Sequence, residues 1–159
     1  MSDYVVPDEP TRSSFNNYAV SPNAPLLGAM LCGAWLTWPW FAFNAIAIGS
    51  PTRKREVTIS AVGAAGTIIL AALISFLLTD GYLESRTAIR LAVLGVATWK
   101  LSLAYYLTVI QNRTFSVYRY YGGVVRKATY VLIAGYYLRR VLIDMTDDPF
   151  WIIILLGGV

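Results

Sequence analysis

A single lysine, Lys100, lies at the centre of an apolar run from Ile89 to Ile110, and this placement constrains the chain more than any other feature. A run of about 20 apolar residues is long enough to cross the hydrocarbon core of a bilayer. A charged side chain at the middle of such a run costs about 2.5–3.5 kcal/mol. We therefore expect Lys100 to meet a partner, a water-filled cavity, or an interface that its long side chain can reach by snorkelling.

The composition is typical of integral membrane proteins. Of the 159 residues, 57% are hydrophobic and 14% are charged, whereas about a quarter of the residues of a soluble domain are charged. A polar N-terminal tail at residues 1–24 precedes a predicted transmembrane domain over residues 25–159. The predicted fold is all-α, a polytopic membrane helix bundle with three spans at about 25–48, 57–79 and 89–110, and a fourth at 123–143.

The last third of the chain leaves two interpretations open. A span at 123–143 requires Arg126 and Lys127 to reach one interface, and Arg139 and Arg140 the other. The alternative is a helix that lies in the interface. The apolar C-terminal segment at residues 150–159 has ten residues, enough helix for about half a bilayer.

The basic residues predict the orientation. Seven lysines and arginines fall on the loops at 53–55 and 113–127, and three fall in the tail and the loop at 80–90. Because short cytoplasmic loops carry the excess of basic residues, we expect both basic loops inside and the N-terminus outside. The expected location is the bacterial inner membrane, crossed several times.

The side chains needed for most catalysis are missing. The chain has no histidine, and its one cysteine, Cys32, lies within an apolar run. Histidine is the commonest general base and metal ligand, so we predict no catalytic, cofactor-binding or metal site and no enzyme activity. Since the basic residues occur in clusters between apolar runs, the expected partners are the bilayer and other membrane subunits or further copies, not nucleic acid.

The second predicted span carries small residues at helical spacing. They are Ser60, Ala64, Thr67, Ala71 and Ser75. Small residues let membrane helices approach each other closely. This face therefore predicts helix packing, within the chain's own bundle or against a second copy.

Three environments could accommodate Lys100. Its ammonium could climb toward an interface, it could pair within the chain with Asp144 or Asn44, or it could meet an anionic group of another subunit. Asn44 could also hydrogen-bond across helices. Lys100, Asn44 and Asp144 are thus the predicted contact residues.

Several short motifs resemble those of an uncharacterised family of small four-helix bacterial membrane proteins. The motifs are Gly28, Gly33-Ala34-Trp35, Asn44, Gly49-Ser50-Pro51 before a basic cluster, Gln111, and Tyr121-Gly122-Gly123. The resemblance covers most of residues 26–143, although the pair Arg139-Arg140 departs from the pattern. It implies a four-helix membrane protein and no particular activity.

These features predict a non-enzymatic integral membrane subunit that anchors, or packs within, a larger bacterial inner-membrane complex. One alternative is a small channel or transporter element in which Lys100 faces an aqueous path. Another is a membrane immunity protein that neutralises a toxin.

Overall fold

The computed structural model describes residues 13–156, so the predictions for residues 1–12 and 157–159 lie outside the described chain. A short 3-10 helix at Asn16–Tyr18 comes first. Six α-helices follow: α1 (Asn23–Leu31), α2 (Ala34–Ile48), α3 (Arg53–Thr79), α4 (Arg86–Tyr120), α5 (Thr129–Asp144) and α6 (Pro149–Leu156). The prediction of an all-α fold is confirmed.

Two helices, α3 and α4, are long and apolar enough to cross a membrane. They contain 27 and 35 residues, which corresponds to about 40 and 52 Å of helix. They include the runs predicted at 57–79 and 89–110. Helix α4 continues ten residues beyond its predicted end at Ile110, and these last turns bury Phe115 and Tyr118 against residues of α2 and the N-terminal segment.

The run predicted as one span at 25–48 forms two helices instead. The chain reverses at Gly33, whose φ of 92° lies in a region that favours glycine. The two helices then pack antiparallel, since Ala24 meets Trp40 and the amide of Val20 donates to Asn44 Oδ1 at 3.0 Å. Pro39 lies within α2. An apolar run of 24 residues thus forms a helical hairpin.

The hairpin changes the expected position of the N-terminal segment. The hydroxyl of Tyr118, at the end of α4, donates to the carbonyl of Asn16 at 2.9 Å. The amide of Arg126 donates to the carbonyl of Ala19 at 2.8 Å. Residues 16–20 therefore lie at the same end of the bundle as the basic loops, whereas the sequence prediction placed the tail on the opposite side. The difference arises because a hairpin returns the chain to the end from which it started.

Helix α5 starts later than the predicted span at 123–143. Arg126 forms a bridge with Val20, and this extended pairing delays the helix until Thr129. The helix then passes the hairpin, where the Cβ that Gly135 lacks would lie 2.9 Å from Cys32 Sγ. With 16 residues, α5 measures about 24 Å, which is less than a bilayer core of about 30 Å.

Helix α6 approaches the hairpin from the opposite end. Ile153 and Ile154 pack with Ala71, Ile74 and Val96, between α3 and α4. The carbonyl of Leu155 ends against Gly33, where α2 begins. Helix α6 has 8 residues and α2 has 15. Since the end of α6 meets the start of α2, their combined length is about 35 Å.

Candidate functional site

The hairpin turn is where most of the helices converge. We use the term turn site for residues 31–33 together with four residues from other helices: Lys100, Gly135, Arg139 and Leu155. A Cβ on Gly33 would lie 2.1 Å from the carbonyl oxygen of Leu155. No other residue type fits there without moving α6. The turn therefore depends on glycine for both its backbone angle and its close contact.

Arg139 satisfies the end of α1. Its Nη1 donates to the carbonyl of Leu31 at 2.7 Å. The last carbonyls of a helix have no partner within that helix, and they form the negative end of its dipole. A cationic donor at this position is therefore favourable, and it explains why an arginine can lie in the second half of α5.

Lys100 is completely buried beside the same turn. Its exposed fraction is 0%, and Nζ has no hydrogen-bond partner within the described residues. One turn along α4, Ala104 packs with Ala29 and Ala34 of the hairpin, so Lys100 lies near the negative end of α1.

The predicted intramolecular partners are occupied elsewhere or exposed. Asn44 Nδ2 donates to Gln111 Oε1 at 3.1 Å, and Gln111 Nε2 donates to the carbonyl of Phe41 at 3.0 Å. Asn44 Oδ1 accepts from Val20. Asp144 is exposed at the C-terminal end of α5. The structure thus joins Asn44 to Gln111 and leaves Lys100 with neither predicted partner.

The small-residue face of α3 is used within the chain. Ser60, Thr67 and Ala71 are buried, and Ala64 and Ser75 are half-buried. The indole of Trp38 donates to Thr67 Oγ1 at 3.2 Å, and the indole of Trp99 donates to the carbonyl of Gly63 at 3.3 Å. A Cβ on Gly63 would lie 2.5 Å from the Trp38 ring. This face accommodates two tryptophans from α2 and α4.

A second buried polar group was not identified from the sequence. Glu56 has an exposed fraction of 0%, and its Oε1 accepts hydrogen bonds from Ser50 and Thr52. Thr114 of α4 approaches Ser50, with 3.5 Å between their hydroxyl oxygens. We call these four residues the Glu56 cluster. The sequence does contain a signal for this cluster, because Thr52 precedes Glu56 by four residues at the start of α3. The basic residues at 53–55, between them, led to an interpretation of this segment only as a basic loop.

Within residues 13–156, no group of three or more His, Cys, Asp or Glu side chains could hold a metal ion. No family model, curated protein or solved structure matches the chain. The resemblance to small bacterial membrane proteins therefore stays a prediction, and the function must be argued from the geometry.

Proposed function

We propose that this protein is a non-enzymatic, multi-pass membrane subunit that packs within a larger complex of the bacterial inner membrane. The observation that carries the proposal is Arg140, which is exposed on the outer face of α5. It follows Arg139, which donates a hydrogen bond to the end of α1. In a bilayer that α3 and α4 cross, Arg140 lies at the depth of the turn site, near the midplane.

An arginine at this depth is costly when it faces lipid. Insertion measurements give about 2.5–3.5 kcal/mol for a charged residue at the centre of a span. Such residues almost always face protein or water. Arg140 lies in a surface groove with Tyr136 and Ile143, and an acidic or carbonyl-bearing segment of another membrane protein would satisfy its guanidinium.

The use of the buried polar side chains supports a structural role. Asn44 and Gln111 connect the hairpin to α4, Thr67 connects α2 to α3, and Arg139 connects α5 to α1. Side chains that hydrogen-bond across helices hold membrane bundles together. These groups are engaged in packing and are not directed into a shared reaction site.

Purification from native membranes in a mild detergent tests the proposal. We expect the wild-type protein to elute with other chains, and Arg140→Leu to elute as a folded monomer because the new side chain needs no polar partner. Arg119→Leu is the matched control, since Arg119 is exposed at the basic end of α4. It should retain the partners. Elution of the wild type alone as a monomer would overturn the proposal.

A second candidate function is a channel or transporter element for anions. The supporting observation is Lys100, whose buried Nζ has no partner in the described chain and which lies one turn from Ala104, where α4 packs against the hairpin. Discontinuous helices that end near the bilayer midplane form the substrate sites of many transporters. Movement of α6 away from Gly33 would open the turn site to an anion.

Anion flux into liposomes tests this candidate. We expect chloride flux from the wild type and from Lys54→Met, because Lys54 is exposed at the start of α3. Lys100→Met should abolish the flux, since it removes the buried charge and keeps a similar length. Equal flux from Lys100→Met and the wild type would exclude the transport role of Lys100.

A further inference from the structure

We propose that the Glu56 cluster binds a monovalent cation of the sodium class. The cluster lies at one end of the bundle, where α2 ends, α3 begins and the C-terminal half of α4 packs against both. It is separate from the turn site. The inference also stands apart from the proposed subunit role, because it concerns only groups within one chain.

The hydrogen bonds of the cluster converge on one carboxylate oxygen. Thr52 Oγ1 donates to Glu56 Oε1 at 2.7 Å, and Ser50 Oγ donates to the same oxygen. Because the Ser50 proton is used there, the contact between Ser50 and Thr114 requires Thr114 to donate. All three hydroxyl protons of the cluster are therefore committed.

The cluster consequently has more lone pairs than protons. Glu56 Oε2 is buried and has no hydrogen-bond partner within the described residues. The hydroxyl oxygens of Ser50 and Thr52 lie 3.1 Å apart, although both of their protons point to Glu56. Unpaired lone pairs and a buried carboxylate are costly unless a positive group compensates them. The amide of Thr52 donates to Ser50 Oγ at 3.2 Å, so the free lone pairs are those of Glu56 Oε2 and of the two threonine hydroxyl oxygens. A small cation that contacts these oxygens would compensate them.

The backbone around the cluster favours the same ligand. Helix α2 ends at Gly49 in the left-handed conformation, with φ of 70°, and the amide of Ser50 donates back to the carbonyl of Ala45 at 3.0 Å. The C-terminal end of a helix carries partial negative charge. In membrane transport proteins, the C-terminal ends of half-length helices coordinate sodium ions or protons. Helix α2 presents such an end to Glu56.

The single negative charge of the cluster and its access to solvent favour a monovalent ion. The cluster has one carboxylate, which a single positive charge neutralises, whereas calcium sites use several carboxylate and carbonyl oxygens. Thr52 is exposed, while Ser50 and Glu56 are buried. An ion can therefore enter from solvent past Thr52 and lose its water stepwise to the inner oxygens.

Thermal unfolding of the detergent-purified full-length protein, followed by tryptophan fluorescence, tests the inference. We expect Tm to rise with sodium chloride and to remain constant with choline chloride at equal ionic strength. A ligand that binds only the folded state stabilises it in proportion to the logarithm of its concentration above Kd. Equal effects of the two salts would overturn the inference, since they would reflect ionic strength alone.

Two variants and one control locate the ion. Glu56→Gln should abolish the difference between the salts, and Glu84→Gln should retain it because Glu84 is exposed beyond the end of α3. Thr114→Val keeps the carboxylate and removes one oxygen, so it should raise the half-saturating sodium concentration about tenfold. This variant decides the matter if Glu56→Gln does not fold. An unchanged sodium response in Thr114→Val or Glu56→Gln would overturn the assignment.

Discussion

Replacing Gly33 by alanine should destabilise the protein more than any other glycine-to-alanine change in the hairpin. The backbone at Gly33 has φ of 92° and ψ of 176°, a region that is essentially restricted to glycine. Placing a residue with a Cβ there costs about 1–3 kcal/mol. The new Cβ would also lie 2.1 Å from the carbonyl oxygen of Leu155, and overpacking of this kind costs a further 1–3 kcal/mol or so. We therefore expect a loss of about 2–6 kcal/mol.

The loss can be measured as a free energy of unfolding in mixed micelles, by titration with a denaturing detergent and tryptophan fluorescence. Gly95→Ala is the matched control, because Gly95 lies in the interior of α4 and its Cβ would meet nothing within 4 Å. That variant should gain about 0.5–1 kcal/mol from the better helix propensity of alanine. The comparison separates the effect of the turn from that of adding a methyl group.

A loss below about 0.5 kcal/mol in Gly33→Ala, the size of an ordinary surface substitution, would contradict the prediction. It would mean that the chain does not reverse at Gly33 or that α6 does not end against it. A stability change equal to that of Gly95→Ala, which we expect to be a gain, would carry the same meaning.

Three further predictions concern the hairpin and its polar contacts. The first uses cysteine labelling in a Cys32→Ala background. Ser14→Cys and Lys54→Cys should react with an impermeant maleimide from the same side of sealed vesicles, and Glu84→Cys should react from the other side. Labelling of Ser14→Cys and Lys54→Cys from opposite sides would contradict the hairpin. Asn44→Leu and Gln111→Leu should each lower the free energy of unfolding by about 1–3 kcal/mol, with a coupling of about 0.6–1.7 kcal/mol in the double variant; strict additivity would indicate that the side chains do not interact. Lys100→Met should raise the free energy of unfolding by about 1 kcal/mol or more, because it removes a buried charge that has no hydrogen-bond partner; a decrease would indicate that Nζ has a partner.

Several properties followed from local pattern. The apolar runs predicted an all-α chain, and the regions at 57–79 and 89–110 lie within the two helices that are long and apolar enough to cross a membrane. Lys100 lies inside the longer of these helices because nothing near it in the sequence breaks the helix. Such properties depend on residues within one or two turns of each other, and the sequence shows these directly.

The first apolar run shows where local pattern was insufficient. A stretch of 24 uncharged residues satisfies the length of a span, and it equally satisfies two short helices that reverse at a glycine. The choice between them depends on contacts with α4, α5 and α6, including the Asn44 pair with Gln111, which is 67 residues away. The late start of α5 similarly depends on Arg126 pairing with the distant residues Ala19 and Val20.

Sequence pattern was thus sufficient to predict the helical class, two long apolar helices, the small-residue face of α3, and a lysine inside an apolar run that contains no acidic residue. Contacts between distant parts of the chain were needed to show that the N-terminal segment returns to the basic end, that Arg139 satisfies the end of α1, and that Glu56 is buried among hydroxyl groups. The physical reason is the same in each case. Helix formation responds to neighbouring residues, whereas the satisfaction of a buried charge or a helix end depends on groups that only folding brings together.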